Sequence, residues 1–263
     1  MKKQIVTACA LIASVAAFAT SVESSNTFGV LKIDVGETTK EVVIPVPWAA
    51  VGTGDAAIKV TDFVLATGRV DGDKLYWYDA SQGSYKVWEA SSDAWDPLSV
   101  VKVSSWDSYG TISASNDDTI KRGEAAILVL NAASANNKPV YLSGQYSDAT
   151  ATTTVYGLTA EEAKFANRGK TRSTLIAAPK AEVCNLNSLT YTIDQSATME
   201  GDKIMVFNGS NYEYGAVAGQ SGNRWYKIDP KSGDRTIEGV SIPLGTGAWY
   251  IRKNQGDVII NWN

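Results

Sequence analysis

The sequence predicts an all-β fold built from two tandemly duplicated β-sandwich or barrel-like units. The first observation is a hairpin-like segment from Gly72 to Trp88, closed by Trp95, that reappears from Gly201 to Trp225. The second is that short apolar runs alternate with turns rich in Gly, Pro, Asn and Asp along most of the chain. A repeat in fixed order points to one architecture used twice. We therefore expect two similar β units and very little helix.

The N-terminus predicts an export signal over residues 1–19. Lys2 and Lys3 precede a run of apolar and small residues, and Ala17-Phe18-Ala19 fits a small-x-small cleavage site. A lipoprotein-type box ending at Cys9 would lie too early in this run, and the run is shorter than the about 20 residues that a spanning helix needs. We expect an exported mature chain with no transmembrane segment, extracellular or at the cell surface, with the periplasm as the alternative.

Composition excludes several kinds of site. The chain has no histidine and a net charge of −4, which argues against Ser-His-Asp or Cys-His catalysis and against binding to nucleic acid. Cleavage of the signal leaves Cys184 as the one cysteine, so neither an internal disulfide nor a structural zinc site is expected. We interpret Cys184 as a small buried or half-buried thiol and expect no cofactor.

The first β unit is predicted over residues 20–147. Its segments alternate apolar and polar residues or are continuously apolar, and each is bounded by turn residues. In chain order they are 28–35, 41–47, 58–65, the hairpin 75–88, 95–103, 123–130 and 139–146. The hairpin strand 75–78 has apolar residues on both faces, which places it centrally in its sheet.

Residues 148–155 are small, polar and low in complexity, which predicts a connector or an edge strand between the units. Thr159-Ala-Glu-Glu162 has the form of a capping box, so one short helix is expected to begin there and to end before Gly169. The helix opens the second unit, predicted over residues 156–263.

The second unit repeats the segment order of the first at a nearly constant offset. Gly201-Asp-Lys203 corresponds to Gly72-Asp-Lys74, and Trp225 corresponds to Trp95. Further matches join 175–179 to 43–47, 245–251 to 123–129 and 258–260 to 140–142. An ordered series of matches of this kind indicates tandem duplication of one β unit.

Carboxylates are the remaining groups for catalysis. Asp73 and Asp202 recur at equivalent places and would be the first candidates for a glycosidase pair. Their position before a strand favours turn residues that bind nearby backbone amides. Asp71-Gly-Asp73 and Asn116-Asp-Asp118 offer oxygen ligands without the spacing of a helix-loop-helix calcium site, so a solvated loop is the preferred interpretation and no metal site is expected.

Aromatic residues are the strongest positive feature, with eight Trp and twelve Tyr. Four tryptophans fall at repeat positions typical of a β core, namely Trp77, Trp95, Trp225 and Trp249. The candidates for ligand binding are the aromatics predicted in loops or on a strand that would be an edge, namely Trp48, Trp88, Trp106 and Tyr109. Exposed planar side chains of this kind stack on sugar rings.

The segments Asn26–Lys32 and Ile44–Trp48, together with Gly245–Ile251, resemble a family of uncharacterised exported bacterial proteins made of two such β units. The first copy departs from this pattern at Gly123–Ile127. The resemblance implies an exported, duplicated, all-β protein and brings no catalytic residues.

Three functions remain open from the sequence. The leading hypothesis is a non-enzymatic structural or adhesive protein of the cell surface or extracellular space, because export and duplication are combined with missing catalytic groups. The alternative is a glycan-binding module that uses loop aromatics, and the third is a carboxylate-based glycoside hydrolase. The partners that remain open are an extracellular glycan, an envelope component or a second copy of the chain.

Overall fold

The computed structural model describes residues 28–33, 41–46, 58–60, 71–91, 94–98, 113–131, 140–145, 150–179, 183–193, 198–207, 212–218, 224–229, 231–237 and 240–262. Within these ranges the protein is all-β with one short α-helix, which confirms the predicted all-β class. The predicted signal peptide lies outside the described residues. No helix in the described ranges is long and apolar enough to cross a membrane.

The described strands of the first half are β1 (Phe28–Ile33), β2 (Glu41–Pro45), β3 (Ile58–Lys59), β4 (Lys74–Asp79), β5 (Ser84–Ser91), β6 (Ala94–Pro97), β7 (Thr119–Ile120), β8 (Ala125–Val129) and β9 (Val140–Gln145). They form a five-stranded antiparallel sheet of order β2-β8-β4-β5-β6 and the two-stranded pairs β1-β9 and β3-β7. We refer to the five-stranded sheet as the first large sheet.

The described strands of the second half are β10 (Ala151–Val155), β11 (Arg172–Ala177), β12 (Cys184–Asn185), β13 (Thr190–Ile193), β14 (Lys203–Phe207), β15 (Tyr212–Ala218), β16 (Trp225–Ile228), β17 (Arg235–Thr236), β18 (Ser241–Ile242), β19 (Gly247–Arg252) and β20 (Val258–Trp262). They form the second large sheet, of order β11-β19-β14-β15-β16-β17, the three-stranded sheet β10-β20-β13 and the pair β12-β18.

The two halves have the same strand order where both are described. β2-β8-β4-β5-β6 corresponds strand by strand to β11-β19-β14-β15-β16, β1-β9 to β10-β20, and β3-β7 to β12-β18. The Gly-Asp-Lys segments open β4 and β14, which lie at equivalent central positions. Gly72 and Gly201 both adopt positive φ, of 88° and 75°, so the tight turn before each strand explains why glycine stands there.

The hairpin that joins β4 to β5 is held by its polar turn. Asp79 Oδ1 accepts hydrogen bonds from the Ser81 and Gln82 amides at 3.1 and 3.3 Å, and the Gly83 amide donates to the Asp79 carbonyl at 2.8 Å. Gly83 has φ of +66°, in the left-handed region. This local chemistry sets the register in which Leu75 lies opposite Trp88.

Each half has its own apolar cluster, and a third cluster joins the two halves. The cluster of the first half includes Leu75, Trp88 and Trp95, and that of the second half includes Trp225 and Tyr250. The shared cluster combines buried residues of both large sheets, with half-buried side chains packed around them. Its buried members are Val43, Ala125, Ile127, Leu175 and Ala177, and its half-buried members are Tyr76, Tyr85, Val129 and Trp249.

Close backbone approaches accompany the shared cluster. The Ala177 amide donates to the Gly123 carbonyl at 3.0 Å, and Glu124 forms an antiparallel bridge with Ile176. A Cβ on Gly247 would lie 2.6 Å from Val43 Cγ1, which is shorter than real Cβ contacts allow. The absence of a side chain at Gly247 therefore lets β19 of the second half pack on β2 of the first.

For residues 148–155 the sequence predicts a connector or an edge strand, and the structure has the edge strand β10 within this segment. β10 pairs along its length with β20, and its side chains Ala151 and Val155 are buried in the cluster of the second half. Thr153 accepts a hydrogen bond from Trp262 Nε1 at 2.8 Å. Residues 151–155 are thus part of the second half's structure.

The predicted capping box is confirmed. Helix α1 (Ala160–Ala163) begins after Thr159, whose hydroxyl accepts from the Glu162 amide while the Glu162 carboxylate accepts from the Thr159 amide. A 3₁₀ turn over Ala166–Arg168 follows, and Gly169 ends it in the left-handed conformation with φ of 84°. Arg172 at the start of β11 binds Glu162 at 2.9 Å and ties the helix to the second large sheet.

Candidate functional site

The structure places one of the four candidate ligand-binding aromatics in the core. Trp88 is 0% exposed, because β5 lies between β4 and β6 and is not an edge strand. In this structure its ring packs in the apolar cluster of the first half and offers no surface to a ligand. Trp48, Trp106 and Tyr109 lie outside the described residues.

The four tryptophans at repeat positions divide into two groups. Trp95 and Trp225 are buried, at 4% and 0% exposure, as expected for core residues. Trp77 and Trp249 are only half-buried, and each lies beside polar or aromatic neighbours. Trp77 and Trp249 are therefore partly accessible and can each belong to a site. The strand periodicity had predicted both as core residues.

Asp73 and Asp202 perform the same structural task in the two halves. Asp73 Oδ1 accepts from the Asn131 amide at 2.8 Å, and Asp202 Oδ1 accepts from the Lys253 amide at 3.1 Å. Both donors lie just after the neighbouring strand, β8 or β19, rather than in the turn of the aspartate itself. Both carboxylates are buried, at 2% and 0% exposure, so they hold strand ends together and are closed to a substrate.

Asp202 has further buried partners. Its Oδ2 accepts hydrogen bonds from Arg252 Nη1 and from the Tyr250 hydroxyl, the latter at 2.9 Å. Arg252 is 0% exposed and also donates to three carbonyl groups, those of Gly256, Thr198 and Gln255. Burial raises the pKa of the Asp202 carboxyl, which Arg252 and the other donors counteract. Because every partner is internal, this group acts as a structural network.

An aromatic cluster lies at the junction of the two large sheets. We call Tyr76, Tyr78, Tyr85 and Trp249 the junction aromatics. Tyr78 contacts Trp249 edge to face at a centroid distance of 5.1 Å, and Tyr85 contacts Tyr78 at 5.0 Å. Tyr78 is 6% exposed, whereas the other three are half-buried and present part of their rings to solvent. Side chains of both halves thus form one mixed surface of phenol and indole rings.

A charged cluster lies beside the hairpin of the first half. We call Lys86, Asp79, Asp118 and Trp77 the Lys86 cluster. Lys86 Nζ lies 2.5 Å from Asp118 Oδ1 and 3.8 Å from Asp79 Oδ2. The same nitrogen lies 5.4 Å from the centroid of the Trp77 ring, within cation–π range. The side chains of Lys86, Asp79 and Asp118 are 14%, 12% and 15% exposed, so the three charges interact largely away from water.

The Lys86 cluster was not predicted from the sequence. Asp118 was interpreted as part of a solvated loop, and its neighbour Asp117 does form an exposed ion pair with Lys59 at 2.9 Å. Asp118 instead reaches Lys86, which lies 32 positions earlier. The sequence does contain one indication of this cluster, which is a difference between the two copies. Lys86 lies opposite Trp77 in the first copy, and Glu213 lies opposite Val206 in the second.

The described residues do not bring three or more Asp, Glu, Cys or His side chains into an arrangement that could hold a metal ion. The Cys184 side chain is half-buried. No protein-family model, curated protein or solved structure matches the chain. We therefore seek the function in the geometry of the shared apolar cluster, of the junction aromatics and of the Lys86 cluster.

Proposed function

We propose that this chain is a non-enzymatic exported protein with a structural or adhesive role at the cell surface or in the extracellular space. The observation that carries the proposal is the shared apolar cluster, in which Val43 and Ile127 of the first half pack with Leu175 and Ala177 of the second. An interface of this kind resembles a domain core and resists relative motion of its parts. Two halves joined in this way make a rigid body suited to bearing load.

The use of the recurrent carboxylates supports the same proposal. Asp73 and Asp202 are hydrogen-bonded to strand-end amides and enclosed, so the residues most suited to a glycosidase pair serve stability instead. A pair of catalytic carboxylates needs access to a sugar between them.

We infer further that the two halves are tandem copies of one sandwich-like β unit. The matching strand orders of the two large sheets and of the smaller sheets support this origin. So does the recurrence of the bond from a Gly-Asp-Lys aspartate to a strand-end amide. Duplication would lengthen the protein without requiring a new fold.

Cell fractionation and an adhesion assay test the structural role. We expect an antibody to find the protein at the surface or in the medium, with its N-terminus near Thr20, and cells lacking it to attach less to a surface. Purified protein should leave a panel of polysaccharides and peptides intact. Retention inside the cell with residues 1–19 present, or turnover abolished by a single carboxylate substitution, would contradict the proposal.

Glycan binding is the second candidate function, and the junction aromatics favour it. Tyr76, Tyr85 and Trp249 are half-buried rings held by edge-to-face contacts, which fixes their planes without covering them completely. Rings oriented in advance lose little entropy when a sugar stacks on them. Trp48, Trp106 and Tyr109 remain candidates for the same role.

A glycan array read with matched variants tests this second function. We expect Trp249→Ala to lose binding that Phe165→Ala retains, because Phe165 is an aromatic of the described residues that is 49% exposed and belongs to the helix region. Trp106→Ala and Trp48→Ala test the loop aromatics in the same format. A silent array for the unsubstituted protein, or equal loss in Phe165→Ala, would count against the function.

A further inference from the structure

Lys86 and Asp118 are placed for covalent chemistry as well as for an ion pair. The distance from Nζ to Oδ1 is 2.5 Å, and the two side chains are only 14% and 15% exposed. We propose that Lys86 and Asp118 condense to an intramolecular amide bond, with Asp79 carrying the proton between them. This inference does not depend on the proposed function of the protein.

The Asp118 carboxylate is oriented by its own loop. Its Oδ2 accepts a hydrogen bond from the Ser115 amide at 2.7 Å, while Oδ1 faces Lys86. The Asp118 amide also donates to the Ser115 carbonyl, and the Asp118 carbonyl accepts from the Val60 amide at 2.9 Å. Negative charge that develops on Oδ2 during attack is therefore met by a fixed N–H donor, as in an oxyanion hole.

Asp79 is held where it can exchange a proton with the pair. Its Oδ1 accepts from the Ser81 hydroxyl at 2.6 Å, and its Oδ2 accepts from Gln82 Nε2 at 3.1 Å. The same Oδ2 lies 3.8 Å from Lys86 Nζ. A small side-chain movement brings the two atoms within hydrogen-bonding distance. The Trp77 ring lies over the same nitrogen, at 5.4 Å to the ring centroid, and shields one side of it from water.

The reaction balances without any further reactant. The Lys86 ammonium first transfers one proton to Asp118 Oδ1. The uncharged amine then attacks Asp118 Cγ, Asp79 takes a second proton from the nitrogen and passes it to Oδ1, and the Cγ–Oδ1 bond breaks. The products are one amide and one water. Counted from an ammonium and a carboxylate, no net proton is exchanged with solvent, and nothing is oxidised or reduced. Holding the two groups in contact supplies the large effective concentration that such a condensation needs.

The bond would join the first large sheet to its smaller neighbour. Lys86 is in β5, and Asp118 directly precedes β7, which pairs with β3. A covalent link between such distant positions restricts the unfolded chain, as a disulfide does. If residues 1–19 are removed, Cys184 is the one cysteine left to the chain, so this amide would be a covalent link of a kind other than an internal disulfide. The second half carries Glu213 rather than a lysine at the equivalent register position.

Mass spectrometry of the purified protein tests the proposal. We expect the intact protein to be lighter by one water than its sequence requires. Trypsin should fail to cleave after Lys86, and the peptide 75–102 should remain joined to the peptide 103–121. The ion pair Lys59–Asp117, whose side chains are 51% and 88% exposed, is the internal control and should remain unlinked.

Variants identify the reacting groups. Lys86→Arg and Asp118→Ala should keep the full mass, while Asp118→Asn should lose ammonia instead of water. Asp79→Asn retains acceptors for the turn but not the charge, and it should slow the mass loss by about a hundredfold, as loss of a general acid–base group does. Full mass with normal cleavage after Lys86 would overturn the proposal. So would a water loss that leaves Lys86 cleavable, since that marks a cyclic imide at an aspartate. The peptide map of the unsubstituted protein decides the matter even if a variant fails to fold.

Discussion

Two aspartates at equivalent positions are expected to contribute differently to the free energy of unfolding. Asp73 and Asp202 both bind a strand-end amide, and Asp202 also faces the buried guanidinium of Arg252. A buried charge that loses its partner keeps its full desolvation cost. A substitution at Asp202 therefore leaves the Arg252 guanidinium buried without its carboxylate partner.

We expect Asp202→Asn to lower the free energy of unfolding by about 3–5 kcal/mol, because it leaves Arg252 buried and uncompensated. Asp73→Asn should cost about 1–2 kcal/mol, since it weakens the hydrogen bond from the Asn131 amide to a charged group. Urea unfolding followed by circular dichroism measures both. Equal costs in the two variants would show that the Arg252 ion pair contributes little.

Two tyrosines of the second half, the half-buried Tyr191 and the buried Tyr250, predict destabilisation at alkaline pH. Burial raises the pKa of Tyr191, and burial together with Asp202 raises the pKa of Tyr250 well above its usual value. Unfolded tyrosines ionise near pH 10, so the unfolded chain loses protons before the folded chain does. Stability present below pH 10 should therefore fall as the pH rises further, by about 1.4 kcal/mol per pH unit for each tyrosine.

The measurement is urea unfolding between pH 8 and 11, compared between the unsubstituted protein and Tyr191→Phe. The variant should show a smaller slope above pH 10, because lysine ionisation affects both proteins alike. It should also lose some stability at pH 8, since the hydroxyl donates to the Leu186 carbonyl at 2.7 Å and accepts from Trp225 Nε1 at 3.0 Å. Identical slopes would contradict the burial of Tyr191.

At the scale of single elements, the helix that begins after Thr159 depends on side chains more than on its length. Four residues are too few for a helix to be stable alone. Burial opposes ionisation of Glu162, but the Thr159 amide and the Arg172 guanidinium hold its pKa below the usual value. This contribution to stability is present above the usual pKa of a glutamate and is lost as the pH falls through the lowered one.

We expect Thr159→Ala to lower the local stability of this helix by about 1 kcal/mol, as loss of an N-cap does. Hydrogen exchange at the Glu162 amide, which donates to the Thr159 hydroxyl at 3.2 Å, should become about fivefold faster. Thr152→Ala is the matched control, because Thr152 is exposed on β10. Unchanged exchange in Thr159→Ala would show that Arg172 alone holds the helix.

For the whole molecule, three apolar clusters suggest how the halves depend on each other. Each half encloses a cluster of its own, and the shared cluster forms only when Val43 and Ala125 meet Leu175 and Ala177. A half produced alone would keep its own core and expose the apolar residues of the shared one. Such surfaces associate in water.

We expect residues 20–147 and 148–263, produced separately, to be folded by circular dichroism and to form a one-to-one complex when mixed. Size-exclusion chromatography measures the complex. Gly247→Val should weaken it at least tenfold, because even a Cβ would lie 2.6 Å from Val43 Cγ1. If both halves remain unfolded alone and after mixing, the three clusters behave as one core.

The sequence by itself determined the features that depend on local chemistry. Period-2 patterns and turn residues predict the strands, and the Thr159 capping box predicts the helix, because these signals act within a few residues. The repeated Gly-Asp-Lys segments predict two central strands with tight turns, which β4 and β14 provide.

The tertiary structure was needed to show which side chains are accessible to solvent and which are in contact. Trp88 lies in an interior strand because β6 pairs beyond β5, and a strand's own residues do not encode its neighbours. The contact of Lys86 with Asp118 and the packing of Gly247 on Val43 join segments far apart in the chain. Such contacts depend on how sheets stack, and that is decided by the burial of the whole chain at once.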